Sequence, residues 1–279
     1  MTIDAHTHLF TENIRASYFA KAKGRIDKAI VLHYPTLLNN DISKQRPYPL
    51  EELLTFAEGK QELAVVASVS MNEELEPQLQ KLESLFREGK IVGLKLYIGY
   101  QHFYPDDERV GPVAKLCAKY SRPLIFHTGD VYDPDGIALL KYARPLPIDD
   151  VASRHPETPI IIAHFGFPYL LEAATIASKN DNVYVDISGT LDDIEDATGA
   201  EKTRLIKEEK EQYVQELRRV YAFFPSLRFK TLFGTDYAGE ETSLCLVDPY
   251  FELMDTVFTG TDRQSVEEGV AAKLFGFRA

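Results

Sequence analysis

Residues 3–8, Ile-Asp-Ala-His-Thr-His, place two histidines at the end of the first apolar stretch of the chain. Side chains alternate between the two faces of a β-strand, so His6 and His8 are expected to project from the same face. Two imidazoles on one face, at a strand end, can bind one divalent metal ion. The pair becomes informative only if later strands also end in metal-binding side chains.

The rest of the chain alternates short β-branched runs with longer amphipathic stretches, the pattern of repeated strand–helix units around a parallel sheet. We predict strands at 2–8, 28–33, 63–70, 92–98, 124–127, 160–164, 183–187 and 231–236. Helical periodicity is present at 51–58, 73–88, 111–120, 169–178, 201–224 and 243–258, and the proline-rich stretch 35–49 predicts a surface loop. Eight strands predict a (β/α)8 barrel formed by residues 1–279 as a single domain.

The composition narrows the classes of partner and location. The net charge of −12 argues against a nucleic-acid or anionic-membrane partner, since phosphate binding requires clustered Lys and Arg. The two cysteines are far apart, and the N-terminus lacks the pattern of a signal peptide. We therefore expect a cytoplasmic protein that acts on a small molecule. The sequence is compatible with a homo-oligomer.

Three later strands also end in polar side chains: His127, His164 and Asp236 each follow an apolar run. The carboxyl ends of barrel strands form the rim that carries the chemistry of barrel enzymes. These side chains are therefore expected to converge with His6 and His8 across the mouth. Imidazole and carboxylate together suit zinc better than manganese or iron.

On these motifs the chain resembles the amidohydrolase superfamily, in particular the amidohydrolase-related branch that includes aminocarboxymuconate semialdehyde decarboxylase. The matching pieces occur in order along the whole chain, at 3–8, 126–129, 163–166, 232–237 and 271–276. The resemblance implies that His6, His8, His127 and Asp236 bind one divalent metal ion. It also implies that His164 contacts the activated water or the substrate, which makes Asp236 and His164 the expected catalytic residues.

Lys95 lies within the apolar strand predicted at 92–98, on the same face as Tyr97. A buried ammonium is costly without a partner, so two explanations stay open. The segment resembles the Lys-Leu-Tyr of dihydroorotases, whose lysine is carbamylated and bridges two metals. Alternatively, and preferred here, Lys95 stays a cation and contacts Asp236 or a substrate carboxylate.

Three further side chains are candidates for the pocket that binds substrate. Tyr97 follows Lys95 on the same strand face, His33 ends the second predicted strand, and Tyr237 follows Asp236 directly. Together with Lys95 and His164, they are the candidates for a second metal or for the substrate.

The leading functional hypothesis is a metal-dependent hydrolase of a small amide, ester, lactone or cyclic compound. The alternative is a non-oxidative decarboxylase or hydratase of an unsaturated or aromatic carboxylic acid. A third hypothesis, a non-catalytic metal-binding scaffold, is disfavoured by the intact acid–base candidates His164 and Asp236. The chain has no glycine-rich phosphate loop, serine elbow or dinucleotide fingerprint.

Overall fold

The computed structural model describes residues 1–35, 48–131, 136–193 and 197–277. The body of the predicted loop at 35–49 therefore lies outside the described residues. Eight parallel strands follow one another around a single sheet in chain order. They are β1 (Ile3–Thr7), β2 (Lys28–Leu32), β3 (Leu63–Ser68), β4 (Gly93–Leu96), β5 (Leu124–Phe126), β6 (Ile160–Ile162), β7 (Val183–Asp186) and β8 (Thr231–Leu232).

The sheet closes into a barrel through residues that follow the short strand β8. The amides of Ala5 and His8 donate to the carbonyls of Phe233 and Tyr237 at 2.9 and 2.8 Å, and the amide of Asp236 donates to the carbonyl of His6 at 2.8 Å. These bonds join the last strand to the first. The predicted (β/α)8 architecture is confirmed.

Helices follow the strands around the outside of the barrel. They are α1 (Glu12–Ala22), α2 (Leu50–Ala57), α3 (Leu75–Arg87), α4 (Val110–Lys119), α5 (Leu140–Ala143), α6 (Ile148–Arg154), α7 (Leu170–Lys179), α8 (Gly199–Phe223), α9 (Asp248–Val257), α10 (Gly260–Gln264) and α11 (Val270–Phe275). The sequence analysis did not predict α1, because only Tyr18 and Ala22 of this helix are buried and its apolar stripe is weak. A helix start signal was nevertheless present, since the Thr11 hydroxyl caps the amide of Ile14. None of the helices in the described ranges is both long enough and apolar enough to cross a bilayer.

Alternating strand residues divide the apolar interior into two layers. One set, including Val31, Leu94 and Phe126, packs under the surrounding helices. The other set, including Ile30 and Ile125, fills the barrel together with residues of α11. Helix α11 therefore covers the amino-terminal end of the barrel, which leaves the carboxyl end for a site.

All eight strands end at least one residue earlier than predicted, and for two of them the backbone of a site residue explains the early end. The strand predicted at 160–164 ends at Ile162, and the one predicted at 231–236 ends at Leu232. The backbone of His164 and Asp236 is left-handed, with φ of 56° and 62°, which no strand can accommodate. The two polar residues therefore lie in turns just beyond the strands.

The first strand contains an irregularity that decides where its histidines point. Asp4 pairs with Ala29 and Thr7 with Val31, so β1 has one more residue than β2 over this interval. Ala5 packs inside the barrel and Asp4 outside, against the hydroxyl of Tyr18 at 2.7 Å. Strict alternation would send His6 outward with Asp4. The extra residue turns His6 into the barrel mouth instead.

Candidate functional site

The polar side chains from four strand ends form one buried group at the carboxyl end of the barrel. One ligand atom from each of His6, His164 and Asp236 lies within 4.8 Å of the others. His8 adds Nε2, 3.1 Å from Asp236 Oδ1, and His127 adds Nδ1, 3.1 Å from His164 Nε2. The fold thus brings together the five residues that the sequence singled out.

Hydrogen bonds on the far side of each ring determine which nitrogens of His6 and His8 carry protons. Nδ1 of His8 lies 2.8 Å from the carbonyl of Leu32, and Nδ1 of His6 lies 3.0 Å from Asp186 Oδ2. Both partners can only accept a hydrogen bond, so both Nδ1 atoms must donate. The Nε2 atoms are left with electron pairs, which lie 3.1 and 3.4 Å from Asp236 Oδ1.

The same reasoning applies to the other two histidines. Nε2 of His127 donates to the carbonyl of Asp130 at 3.0 Å, so its Nδ1 carries an electron pair. Nδ1 of His164 faces the hydroxyl and carbonyl oxygens of Ser188 at 3.1 and 3.2 Å. The hydroxyl proton of Ser188 is used by Asp186, 2.5 Å away, so His164 must donate from Nδ1. Its Nε2 electron pair then faces that of His127.

Asp236 Oδ1 completes this arrangement. It is buried and, within the ranges the structure describes, has no hydrogen-bond donor. A carboxylate oxygen and imidazole electron pairs that face one another repel unless a cation lies between them. Nitrogen and oxygen donors of this kind are those that zinc takes in proteins. The residues present therefore fit a divalent metal ion.

Burial keeps the imidazoles of His8, His127 and His164 uncharged at neutral pH. It lowers the pKa of His164 to about 4, and it lowers the pKa of His8 and His127 as well. Burial of Asp236 opposes its ionisation, but the neighbouring histidines outweigh that effect and hold the pKa of its carboxyl below the usual range. The group thus offers neutral nitrogens and an ionised carboxylate, the protonation states that metal binding requires.

Lys95 lies inside the barrel and is 0% exposed. Its Nζ is 3.1 Å from His6 Nε2, and it forms no ion pair with a carboxylate of the described chain. Burial lowers the pKa of this lysine to about 8, against the pull of Asp186 and Asp236. The amine therefore sits beside the nitrogen that the metal would use.

The three remaining candidates take different places. Tyr97 lines the cavity above the buried group, and its hydroxyl donates to the carbonyl of His33 at 3.0 Å. Both ring nitrogens of His33 are engaged, with the Ser68 hydroxyl at 2.5 Å and the Tyr48 carbonyl at 2.7 Å, and it borders a separate pocket. Tyr237 packs against Tyr18 of α1, away from the mouth.

Sequence reasoning missed two polar residues of the site, Asp186 and Ser188. Asp186 ends β7 and Ser188 follows two residues later, so the strand-end signal that identified His127 and His164 was present here too. Both side chains contact Nδ1 of His6 at 3.0 Å. The strand-end pattern therefore also identifies β7 as a strand that contributes polar residues to the site.

A cavity of about 180 Å³ opens above the buried group. Aromatic and aliphatic side chains form much of its wall, and carboxylates lie among them. The lining residues beyond the five and Lys95 are Tyr34, Tyr97, Tyr100, Asp130, Val131, Gly189, Asp192 and Leu244. A small organic molecule can reach the electron pairs of the histidines through this opening.

Glu209 on α8 adds a titrating group behind the rim. Burial raises the pKa of its carboxyl to about 7 from an ordinary value of 4.5, although its Oε2 accepts the amide of Asp192 at 3.3 Å. Between these two pH values the folded chain keeps a proton that the unfolded chain has lost, so stability falls as the pH rises through this window. We expect Glu209→Gln to raise the melting temperature at pH 8 more than at pH 5, by thermal unfolding. Equal shifts at both pH values would contradict this expectation.

Comparison with known proteins identifies the family. The sequence profile of the amidohydrolase family matches residues 3–277. No protein of curated function matches the chain in sequence. The chain has 14% identity to a probable 2-pyrone-4,6-dicarboxylic acid hydrolase from Acinetobacter baumannii, solved with citric acid bound, with a TM-score of 0.68 over 99% of both chains.

Two further solved structures share the fold and contain metal ions. An amidohydrolase from Burkholderia multivorans with bound zinc is 15% identical over 99% of both chains, with a TM-score of 0.60. A 5-carboxyvanillate decarboxylase from Novosphingobium aromaticivorans, complexed with manganese, is 15% identical over 96% of this chain and 80% of its own, with a TM-score of 0.60. At these identities the likeness shows the fold. The family match over nearly the whole length, on a barrel with this group of histidines at its mouth, shows that the chain belongs to the amidohydrolase family of metal-dependent enzymes.

Proposed function

We propose that this chain is a metal-dependent hydrolase that acts on a small amide, ester, lactone or cyclic substrate. The observation that carries the proposal is Asp236 Oδ1, buried without a donor and facing the Nε2 electron pairs of His8 and His6 at 3.1 and 3.4 Å. We assign His6, His8, His127 and Asp236 as ligands of one divalent ion. Zinc is preferred because the donors are imidazoles and a carboxylate.

A divalent ion in this group would act as a Lewis acid, which polarises a carbonyl and lowers the pKa of a water molecule to about 7. Asp236 is the residue placed to move the proton. Its Oδ1 faces the histidines, and its Oδ2 can take a proton from the attacking water and return it to the leaving group. The cavity of about 180 Å³ gives a small organic substrate access to these oxygens.

Two roles remain for His164. Its Nε2 faces the Nδ1 of His127 at 3.1 Å, which suits a ligand. If its proton moved from Nδ1, where Ser188 accepts it, to Nε2, His164 would donate a hydrogen bond to the developing negative charge of the substrate carbonyl. His164→Asn separates the two: a large loss of turnover with nearly unchanged metal content supports the second role. A loss of metal in parallel supports the first.

A decarboxylase that acts on an aromatic or unsaturated carboxylic acid is the second candidate, and Lys95 favours it. Its amine is 0% exposed and lines the cavity, where it would attract a substrate carboxylate. The two reactions are distinguished by assaying carbon dioxide release from aromatic acids against ring opening of lactones. Carbon dioxide release without any hydrolysis would overturn the hydrolase proposal.

The purified enzyme is expected to contain about one equivalent of divalent metal, measured by elemental analysis, and to lose activity on chelation. If Lys95 is carbamylated, the content should approach two equivalents and depend on bicarbonate during reconstitution. Lys95→Met would then lose metal, whereas a cationic Lys95 predicts that this variant keeps its single ion. Protein that remains fully active after its metal has been removed would contradict the proposal.

A further inference from the structure

Asp186, the last residue of β7, binds both His6 and His164 of the buried group. It is 1% exposed and accepts four hydrogen bonds. Oδ2 accepts Nδ1 of His6 at 3.0 Å. Oδ1 accepts the amide of His164 at 2.9 Å, and the amide and hydroxyl of Ser188 at 3.1 and 2.5 Å.

The two oxygens hold two different features of the site. The bond from Oδ2 keeps the proton of His6 on Nδ1, which leaves Nε2 with its electron pair. The bond from Oδ1 holds the amide of His164, a residue whose backbone is left-handed with φ of 56°. Such a conformation is strained for a residue with a side chain and needs support from its surroundings.

We propose that Asp186 is a positioning residue that sets the tautomer of His6 and the backbone turn of His164 together, so that His6 offers Nε2 to the metal and the His164 ring faces the same site. The inference rests on the proposed function, because the proposed metal site is the reason for the orientation of these two rings. The tautomer itself can be measured without any reaction. A carboxylate that accepts from the far nitrogen of a ligand histidine tunes metal affinity in many proteins, and its loss typically costs 10–100-fold.

The substitution Asp186→Asn tests this assignment sharply. Three donors converge on Oδ1, so the asparagine should place its carbonyl oxygen there and its amide group toward His6. That amide donates rather than accepts, and it would move the proton of His6 from Nδ1 to Nε2. The electron pair that faces Asp236 is then lost while the packing around residue 186 is nearly unchanged.

Two measurements on the metal-free protein follow. Long-range ¹H–¹⁵N NMR of the imidazoles should show His6 protonated on Nδ1 in the wild type and on Nε2 in Asp186→Asn. Competition with a chelating dye should show about 10–100-fold weaker zinc binding by the variant. A wild-type His6 protonated on Nε2 would overturn the proposal, and this result requires no variant to fold. An unchanged tautomer in a folded variant, or unchanged zinc affinity, would overturn it as well.

Asp4→Asn is the matched control. Asp4 is also a fully buried carboxylate beside His6, with Oδ1 accepting the amides of His6 and Thr235 at 3.0 and 3.1 Å. It touches no imidazole nitrogen, so this variant should lose stability and keep the His6 tautomer. A tautomer change in both variants would reduce Asp186 to a structural residue. If Asp186→Asn switches the tautomer but the wild-type enzyme hydrolyses no substrate, the positioning role stands and the proposed reaction falls.

Discussion

Asp236→Asn should lower turnover by about 10²–10⁴-fold, the range typical for loss of a positioned proton carrier. The amide has no negative charge to hold a cation against His6 and His8, and it cannot take the proton of the attacking water. Because the φ of 62° at residue 236 is one that asparagine tolerates, the backbone turn should survive. The checks are turnover with a hydrolysable substrate, metal content, and thermal unfolding of the same preparation.

The control for this variant is Asp181→Asn. Asp181 borders a pocket that also includes Tyr184, Val270 and Lys273, on the side of the barrel covered by α11. It should leave metal content and turnover as in the wild type. A folded Asp236→Asn enzyme with wild-type turnover would refute the proton-transfer role and weaken the assignment of Asp236 as a ligand.

Gly189→Ala should damage the site and the fold together. Gly189 has a φ of +63°, and an added Cβ would lie 2.3 Å from His164 Nδ1 and 2.7 Å from Asp236 Oδ2. Neither side chain can move without breaking its contacts in the buried group. We expect about 1–2 kcal/mol of destabilisation from the left-handed backbone and about 1–3 kcal/mol more from overpacking, together with weaker metal binding. Urea unfolding and a zinc titration measure the two effects.

Gly24→Ala separates the backbone cost from the steric one. Gly24 has a φ of +74°, and an added Cβ there would meet nothing within 4 Å. This variant should show the left-handed cost alone, with unchanged zinc affinity. If the two variants were equally stable and bound zinc equally well, the close approach of Gly189 to the site would have no functional consequence.

The strand-end rule explains how much of the site could be predicted. His127, His164 and Asp236 each follow an apolar run, and parallel strands closed into a barrel have no other place for such residues than one rim. The alternation of side chains placed Lys95 and Tyr97 on one face of the strand predicted at 92–98, opposite Leu94 and Leu96, and the packing agrees with this. Family resemblance then supplied the roles, because spacing alone does not distinguish a ligand from a neighbouring donor.

Other features could not be read from local patterns. The direction of His6 depends on the extra residue in β1 between Asp4 and Thr7, which only pairing with β2 reveals. His33 ends a strand as His127 does, yet its ring is held by Ser68 and Tyr48, 35 and 15 residues away in the chain. Contacts between distant segments therefore decide which strand-end histidine belongs to the site, although the histidines look equivalent in sequence.

The sequence by itself determined the eight-stranded barrel, the end that carries the chemistry and the five groups that meet there, because these follow from periodicity and from where polar residues interrupt apolar runs. Tertiary structure alone decided the tautomers, the left-handed turns at His164 and Asp236, and the contacts of Asp186. These depend on hydrogen bonds whose geometry arises only when β1, β7 and the residues after β8 come together. A tautomer is set by the partner of the opposite ring nitrogen, and that partner lies up to 180 residues away.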